Sequence, residues 1–162
     1  MARVDVRFSD GENDGKKASG GAQPPPEGVA GAASFHALVI DDAEDARYIY
    51  QHYFEFCGLR VTTASDGAAA LVAVARERPD VIVLDLAMPK ITGWEVLERL
   101  RSEPGTRAIP VVVVSGQQER TSAIVAGADA YCEKPCLPDQ VLSEARRVLR
   151  RAREKSGGLP SE

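Results

Sequence analysis

The sequence predicts a doubly wound α/β domain on a five-stranded parallel sheet. Three observations carry that expectation. VIVL (81–84) and VVVV (111–114) are apolar at every position, as strands covered on both faces require. Between the strand-like runs lie segments whose apolar residues recur at helical spacing. The two kinds of segment alternate strictly, and right-handed βαβ crossovers then leave a layered sandwich as the solution.

The elements follow in order. Ala37 to Ile40 is a short apolar strand. Residues 44–57 place Ala46, Ile49, Tyr50, Tyr53 and Cys57 on one helical face, with Gly58 as a natural stop. LRVTTA (59–64) reads as a strand. Asp66 is a helix N-cap, with an apolar stripe of Ala68, Leu71, Val72 and Ala75 behind it, and Pro79 ends that unit. DVIVLD (80–85) is the third strand, and 93–102 a helix with Val96, Leu97 and Leu100 inward. IPVVVVS (109–115) is the fourth strand, followed by a short helix at 119–126. ADAYCEK (128–134) is the fifth. Residues 138–153 form the last helix, with Pro138 in its first turn and Val141, Ala145, Val148 and Ala152 on one face.

Composition bounds the function. A chain of 162 residues, 44% hydrophobic and 27% charged, is long enough for one domain with a real core. No apolar run approaches the roughly 18–20 residues that span a bilayer, and no basic-then-apolar leader opens the chain. Cys57, Cys132 and Cys136 cannot all pair and match no metal-ligand spacing, so reduced thiols in a cytoplasmic protein are expected. A net charge of -4 argues against a nucleic-acid-binding surface as the main function. The charge is uneven, however: SEARRVLRRAREK (143–155) is strongly basic. That run suits the C-terminal end of a solvated helix, or else a docking patch for an anionic partner. Residues 1–34, rich in Gly, Pro, Ser and charge, are expected to be a disordered extension, 35–153 the domain, and 154–162 a flexible tail.

Ligands of such sheets sit at the carboxyl ends of the strands. The first strand ends there in Asp41-Asp42, the third in Asp85, the fourth in Ser115 and the fifth in Lys134-Pro135. Three carboxylates at one rim repel, and each raises the pKa of the others. A divalent metal resolves the conflict, and carboxylate oxygens describe a Mg²⁺ site. Lys134 adds an ammonium and Ser115 a hydroxyl. The set is a cradle for a phosphoryl group, with a carboxylate as candidate nucleophile.

These residues resemble the receiver domain of two-component response regulators. The likeness covers about residues 36–150 and rests on VIDD (39–42), DLAMPKITGWE (85–95), VVVVSG (111–116) and GADAYCEKP (127–135). It implies a (βα)5 flavodoxin-like receiver fold. It implies Asp85 as phosphoacceptor, and Mg²⁺ held by Asp41, Asp42, Asp85 and the backbone carbonyl of Ala87. Lys134 would contact the acyl phosphate, Ser115 would swing toward it, and Tyr131 would follow as an aromatic switch. The Lys134-Pro135 bond would be cis, and Gly93 matches the family's loop glycine. The phosphodonor would be a histidine kinase or phosphotransfer protein, the output an unidentified downstream protein, with homodimers as a known family assembly. Such a protein is not an enzyme beyond accepting and hydrolysing its own phosphoryl group.

The chain departs from the pattern in one place. Lys134 stands 19 positions after Ser115. Receivers are usually a few residues longer there, and the shortfall falls on the fourth helix or the loop before it. That surface serves many receivers for pairing or output. The leading expectation is a stand-alone phosphorylation switch or relay intermediate, and the alternative a phosphorylation-independent scaffold. A nucleotide-binding α/β enzyme lacks its glycine-rich loop here.

Overall fold

The structure is a computed structural model that describes residues 34–116 and 118–157. Most of the expected N-terminal extension and the end of the expected tail lie outside the described residues.

Five parallel strands form one sheet: His36–Ile40 (β1), Arg60–Ala64 (β2), Val81–Leu84 (β3), Val111–Ser115 (β4) and Ala130–Glu133 (β5). Between and after them run the helices Glu44–Phe56 (α1), Gly67–Arg76 (α2), Gly93–Ser102 (α3), Arg120–Val125 (α4) and Pro138–Gly157 (α5). The strand order is β2-β1-β3-β4-β5. The chain therefore leaves β1 to one side for β2 and returns to the other side for β3. That reversal opens a crevice at the carboxyl ends of β1 and β3, where the direction of winding switches.

Alternation along each strand feeds two cores. Leu38, Ile40, Ile82, Leu84, Val111 and Val113 point to the side of α2, α3 and α4. Ala37, Val39, Val81, Val83, Val112 and Val114 point to the side of α1 and α5. Both faces of the central strands are thus dry, which is why β3 and the interiors of β1 and β4 are wholly apolar, with polar residues only at the strand ends, His36 and Ser115. The inward residues of α3 are those expected, Val96, Leu97 and Leu100.

One helix departs from its expected face at two positions and another sits in a different rotational phase. On α1 Ala46, Tyr50, Tyr53 and Cys57 face the core as expected, but Phe54 joins them and Ile49 is 51% exposed. Aromatic and aliphatic residues occur on every side of this helix, so spacing alone does not fix its phase. The largest ring that can be completely enclosed decides it, and Phe54 is 0% exposed. On α2 the buried set is Gly67, Ala70 and Val74, and Val72 of the expected stripe is 58% exposed. GAAALVAVA contains no polar residue to mark an outer face. Asp66 does cap this helix, its Oδ1 accepting the Ala69 N–H at 2.7 Å. Finally, α5 continues to Gly157, past the expected domain end at 153, and its last turns are largely exposed.

The exchange of Ile49 for Phe54 on the buried side of α1 is directly testable. Phe54→Ala is expected to cost about 3–5 kcal/mol in chemical denaturation, and Ile49→Ala less than about 0.5 kcal/mol. The sequence-derived face gives the opposite ranking.

Candidate functional site

The sheet delivers the predicted residues to one crevice. Backbone ladders extend past the strand ends: the Asp41 N–H donates to the Ala64 carbonyl at 3.2 Å, and the Asp85 N–H to the Ile40 carbonyl at 2.9 Å. Both carboxylates are therefore fixed by the main chain on either side of β1. Both are also buried, Asp41 at 2% and Asp85 at 4% exposure, while Asp42 is exposed. One carboxylate oxygen from each of the three lies within 4.8 Å of the others.

Lys134, just after β5, reaches across β4 to this cluster. Its Nζ lies 3.0 Å from Asp41 Oδ2 and 3.3 Å from Asp85 Oδ2. The remaining oxygens are turned to the backbone, with Asp41 Oδ1 accepting the Ala43 N–H at 2.9 Å and Asp85 Oδ1 the Ala87 N–H at 3.0 Å. One ammonium thus faces three carboxylates. Burial raises the Asp85 carboxyl above its ordinary value, and the charge of Asp41 adds to the rise; the Ala87 N–H and Lys134 oppose it without cancelling it. Burial alone would depress Lys134, but its bonds to Asp41 and Asp85 hold it above its ordinary value. The donor set is hard oxygen with a deficit of positive charge, and it fits a divalent cation such as Mg²⁺.

The loop after β3 is built around a glycine. A Cβ on Gly93 would lie 2.1 Å from the Asp85 carbonyl oxygen and 2.6 Å from Leu86 Cα, so only glycine fits. The Gly93 N–H donates to the Leu86 carbonyl at 3.1 Å and closes the loop. Within it Lys90 adopts a left-handed φ of 65°. Thr92 then caps α3 through Glu95 N–H.

Ser115, at the end of β4, is fully buried, and its carbonyl accepts the Lys134 N–H at 2.8 Å. The Lys134-Pro135 peptide is cis. Tyr131 already points inward: it is 6% exposed and packs in the same core as Ala123 and Ala128, and its hydroxyl accepts the Glu119 N–H at 3.4 Å. Ala87 is an exposed loop residue at the rim. The three cysteines are free thiols, and burial pushes Cys132 up to about 11, which makes it an inert core residue.

A family model for the response regulator receiver domain matches residues 37–146. The chain belongs to this family. Among curated proteins, the receiver resembles the probable transcriptional regulatory protein TcrX of Mycobacterium tuberculosis, 36% identical over 115 residues, 70% of this chain and 49% of that protein. It also resembles the response regulator MprA of Mycobacterium leprae, 38% identical over 119 residues, 72% of this chain and 51% of the relative. The chain thus spans about half the length of the curated relatives it matches. Among solved structures, the chemotaxis response regulator CheY4 of Vibrio cholerae aligns with a TM-score of 0.68 at 28% identity, covering 72% of this chain and 99% of that one. The five-stranded receiver fold expected from the sequence is the one observed.

One residue of the site escaped the sequence reading. Arg47, on the first turns of α1, donates from Nη1 to the carbonyls of Asp41 at 2.7 Å and Asp42 at 3.1 Å. It holds the loop that carries both carboxylates. The available signal was a long cation one helical turn beyond an acidic pair, a spacing at which a side chain reaches back to the loop.

Two variants test this electrostatic and steric account. Asp85→Asn removes a carboxylate whose charge the fold disfavours. It is expected to raise the Tm without divalent cations by about 2–4 °C, the shift that about 1 kcal/mol produces in a chain of this size. Because the folded-state pKa of Asp85 is raised, the wild type carries this penalty above that pKa. The penalty fades as pH falls through it toward the unfolded value, so the advantage of the variant is expected to vanish in acid. Gly93→Ala is expected to lower stability by about 1–3 kcal/mol or more, read by the same melts.

Proposed function

We propose that this receiver is a phosphorylation-controlled switch in which Asp85 accepts a phosphoryl group from a histidine kinase, a phosphotransfer protein or a small phosphodonor. The observation that carries this reading is the Lys134 ammonium shared between Asp41 and Asp85 beside a third carboxylate. In the transfer, an Asp85 carboxylate oxygen forms a bond to phosphorus as the donor's P–N or P–O bond breaks. Asp85 must be ionised to attack, and Lys134 favours the ionised form against the effect of burial. Asp41, Asp42, Asp85 and the Ala87 carbonyl would hold Mg²⁺, which when bound supplies positive charge for the phosphoryl oxygens.

The product is an acyl phosphate, and phosphorylation adds about -1.5 to -2 of charge. Lys134 and the Ser115 hydroxyl then turn toward the new oxygens. Tyr131 lies beside that movement, its hydroxyl tied to the loop before α4. The new charge biases a two-state equilibrium of this region, and a protein partner reads the result. Hydrolysis of the acyl phosphate resets the domain. Cytoplasmic location fits that chemistry, and among the described residues no helix is long and apolar enough to cross a membrane. The charge argument against a nucleic-acid partner applies to this domain alone, since the relative named as a transcriptional regulator is about twice as long.

Intact mass after exposure to acetyl phosphate tests the assignment. A single phosphoryl adduct is expected on the wild type with Mg²⁺, little without it, and none on Asp85→Asn. Lys134→Ala is expected to cut the labelling rate at least about tenfold, the factor lost with about 1.4 kcal/mol of transition-state stabilisation. An adduct that persists in Asp85→Asn would remove Asp85 from the role. Wild type that neither labels nor gains Tm with Mg²⁺ would sink the reading.

A further inference from the structure

At the sheet edge opposite Asp85 lies a second charged concavity. Residues that precede strands, Phe35 before β1, Asp80 before β3, Pro110 before β4 and Asp129 before β5, line a cavity of about 470 Å³. The last turns of α5 form another wall. Six cations line it: Arg78, Arg101, Arg107, Arg151, Arg153 and Lys155.

Its two carboxylates are already used. Asp80 accepts the His36 N–H at 2.8 Å. Asp129 accepts the Val111 N–H at 2.9 Å and pairs with Arg101 at 3.0 Å. Arg101 is spent as well, donating to the Gly127, Arg107 and Ile109 carbonyls. The Arg153 guanidinium lies 4.3 Å over the Phe35 ring. Among the described residues, none of Arg78, Arg107, Arg151, Arg153 and Lys155 has a carboxylate partner.

A solvated helix end accounts for the cations of α5. It does not account for Arg107, from the α3–β4 connection, or for Arg78, from the α2–β3 connection, whose Nε donates to the Gly105 carbonyl at 3.2 Å. These converge with α5 on one concavity in a chain of net charge -4. Six cations against two carboxylates leave an excess of positive charge, and a bound anion relieves the repulsion. The volume falls in the range of small-molecule sites, and a concavity suits a compact anion better than the flank of a duplex.

We propose that this cavity binds a small anion carrying at least two linked phosphate groups, such as pyrophosphate or a nucleoside diphosphate. Arginine forks and Lys155 receive the phosphates, and Phe35, Ala108 and Ala152, the more exposed apolar residues of the lining, offer surface to an organic moiety. A single phosphate would leave most of the five cations unmatched. The site is separate from Asp85, so the inference stands whether or not Asp85 is phosphorylated.

Titration calorimetry and melts of the full chain with pyrophosphate and with ADP test it, without Mg²⁺ and at ionic strength matched with sodium chloride. Saturable one-to-one binding below about 1 mM is expected, with a rise in Tm. Arg107→Gln/Arg151→Gln is expected to lose at least about tenfold in affinity and, without ligand, to melt no lower than the wild type. Equal affinities assign recognition to the phosphate chain, tighter ADP assigns part to the nucleoside, and both support the proposal. No saturation by either anion, or undiminished binding by the variant, would overturn it. So would binding of a duplex oligonucleotide with steep salt dependence where the small anions fail.

Discussion

Much of this structure follows from placing two buried carboxylates on neighbouring strands with a single ammonium to share. Asp41 and Asp85 are almost fully enclosed, and each commits one oxygen to a backbone N–H and the other to Lys134. Enclosed charge is tolerated only when paired and hydrogen-bonded. The sheet order, the tight Gly93 loop and the reach of Arg47 all maintain that pairing. The strand order sets Asp41 beside Asp85. Gly93 lets the chain turn directly behind the Asp85 carbonyl, and Arg47 secures the loop of Asp41 and Asp42. The arrangement remains short of positive charge, which is the physical basis for its demand for a cation.

The two edges of the sheet are electrostatically opposite. At the carboxyl edge, carboxylates outnumber the one nearby ammonium. At the amino edge, the cations outnumber carboxylates that are already occupied. Helices running back across the faces leave their C-terminal turns near the amino edge, so part of this polarity is favourable. Arg101 shows how the fold uses it, tying the end of α3 to the starts of β4 and β5 through three carbonyls and Asp129. Its neighbours around the cavity are less committed: Arg78 donates to the Gly105 carbonyl and Arg153 lies over Phe35, and neither pairs with a carboxylate among the described residues.

The strands and the site residues were legible because each is marked by a sharp contrast in sequence. An apolar run that stops at Asp85, or at Lys134 before a proline, signals a strand end and a polar rim together. The burial of Phe54 on α1 and the phase of α2 were not legible, for two different reasons. On α1 the apolar residues are spread around the helix, and the shape of the groove selects Phe54. On α2 nearly every residue is apolar, so no contrast exists to be read. The Gly93 contact shows the limit from the other side. A glycine in a loop is visible in the sequence, but its approach to the Asp85 carbonyl depends on β3 and α3 being packed.

The short α4 is lightly anchored to the rest of the domain. Among the described residues of this six-residue helix, only Ala123 is buried. A segment with so little packing opens at low free-energy cost. Its connection to the rest of the domain runs in part through Tyr131, whose ring is in the core and whose hydroxyl holds the Glu119 N–H at the start of α4. The ring therefore links the strand next to Lys134 with the loop after Ser115. A longer helix would spread a disturbance over several packed side chains. Here α4 rests on few packed side chains, with the Tyr131 hydroxyl among the groups that hold its start. Tyr131 thus joins β5 to the start of α4 through its buried ring and its hydroxyl.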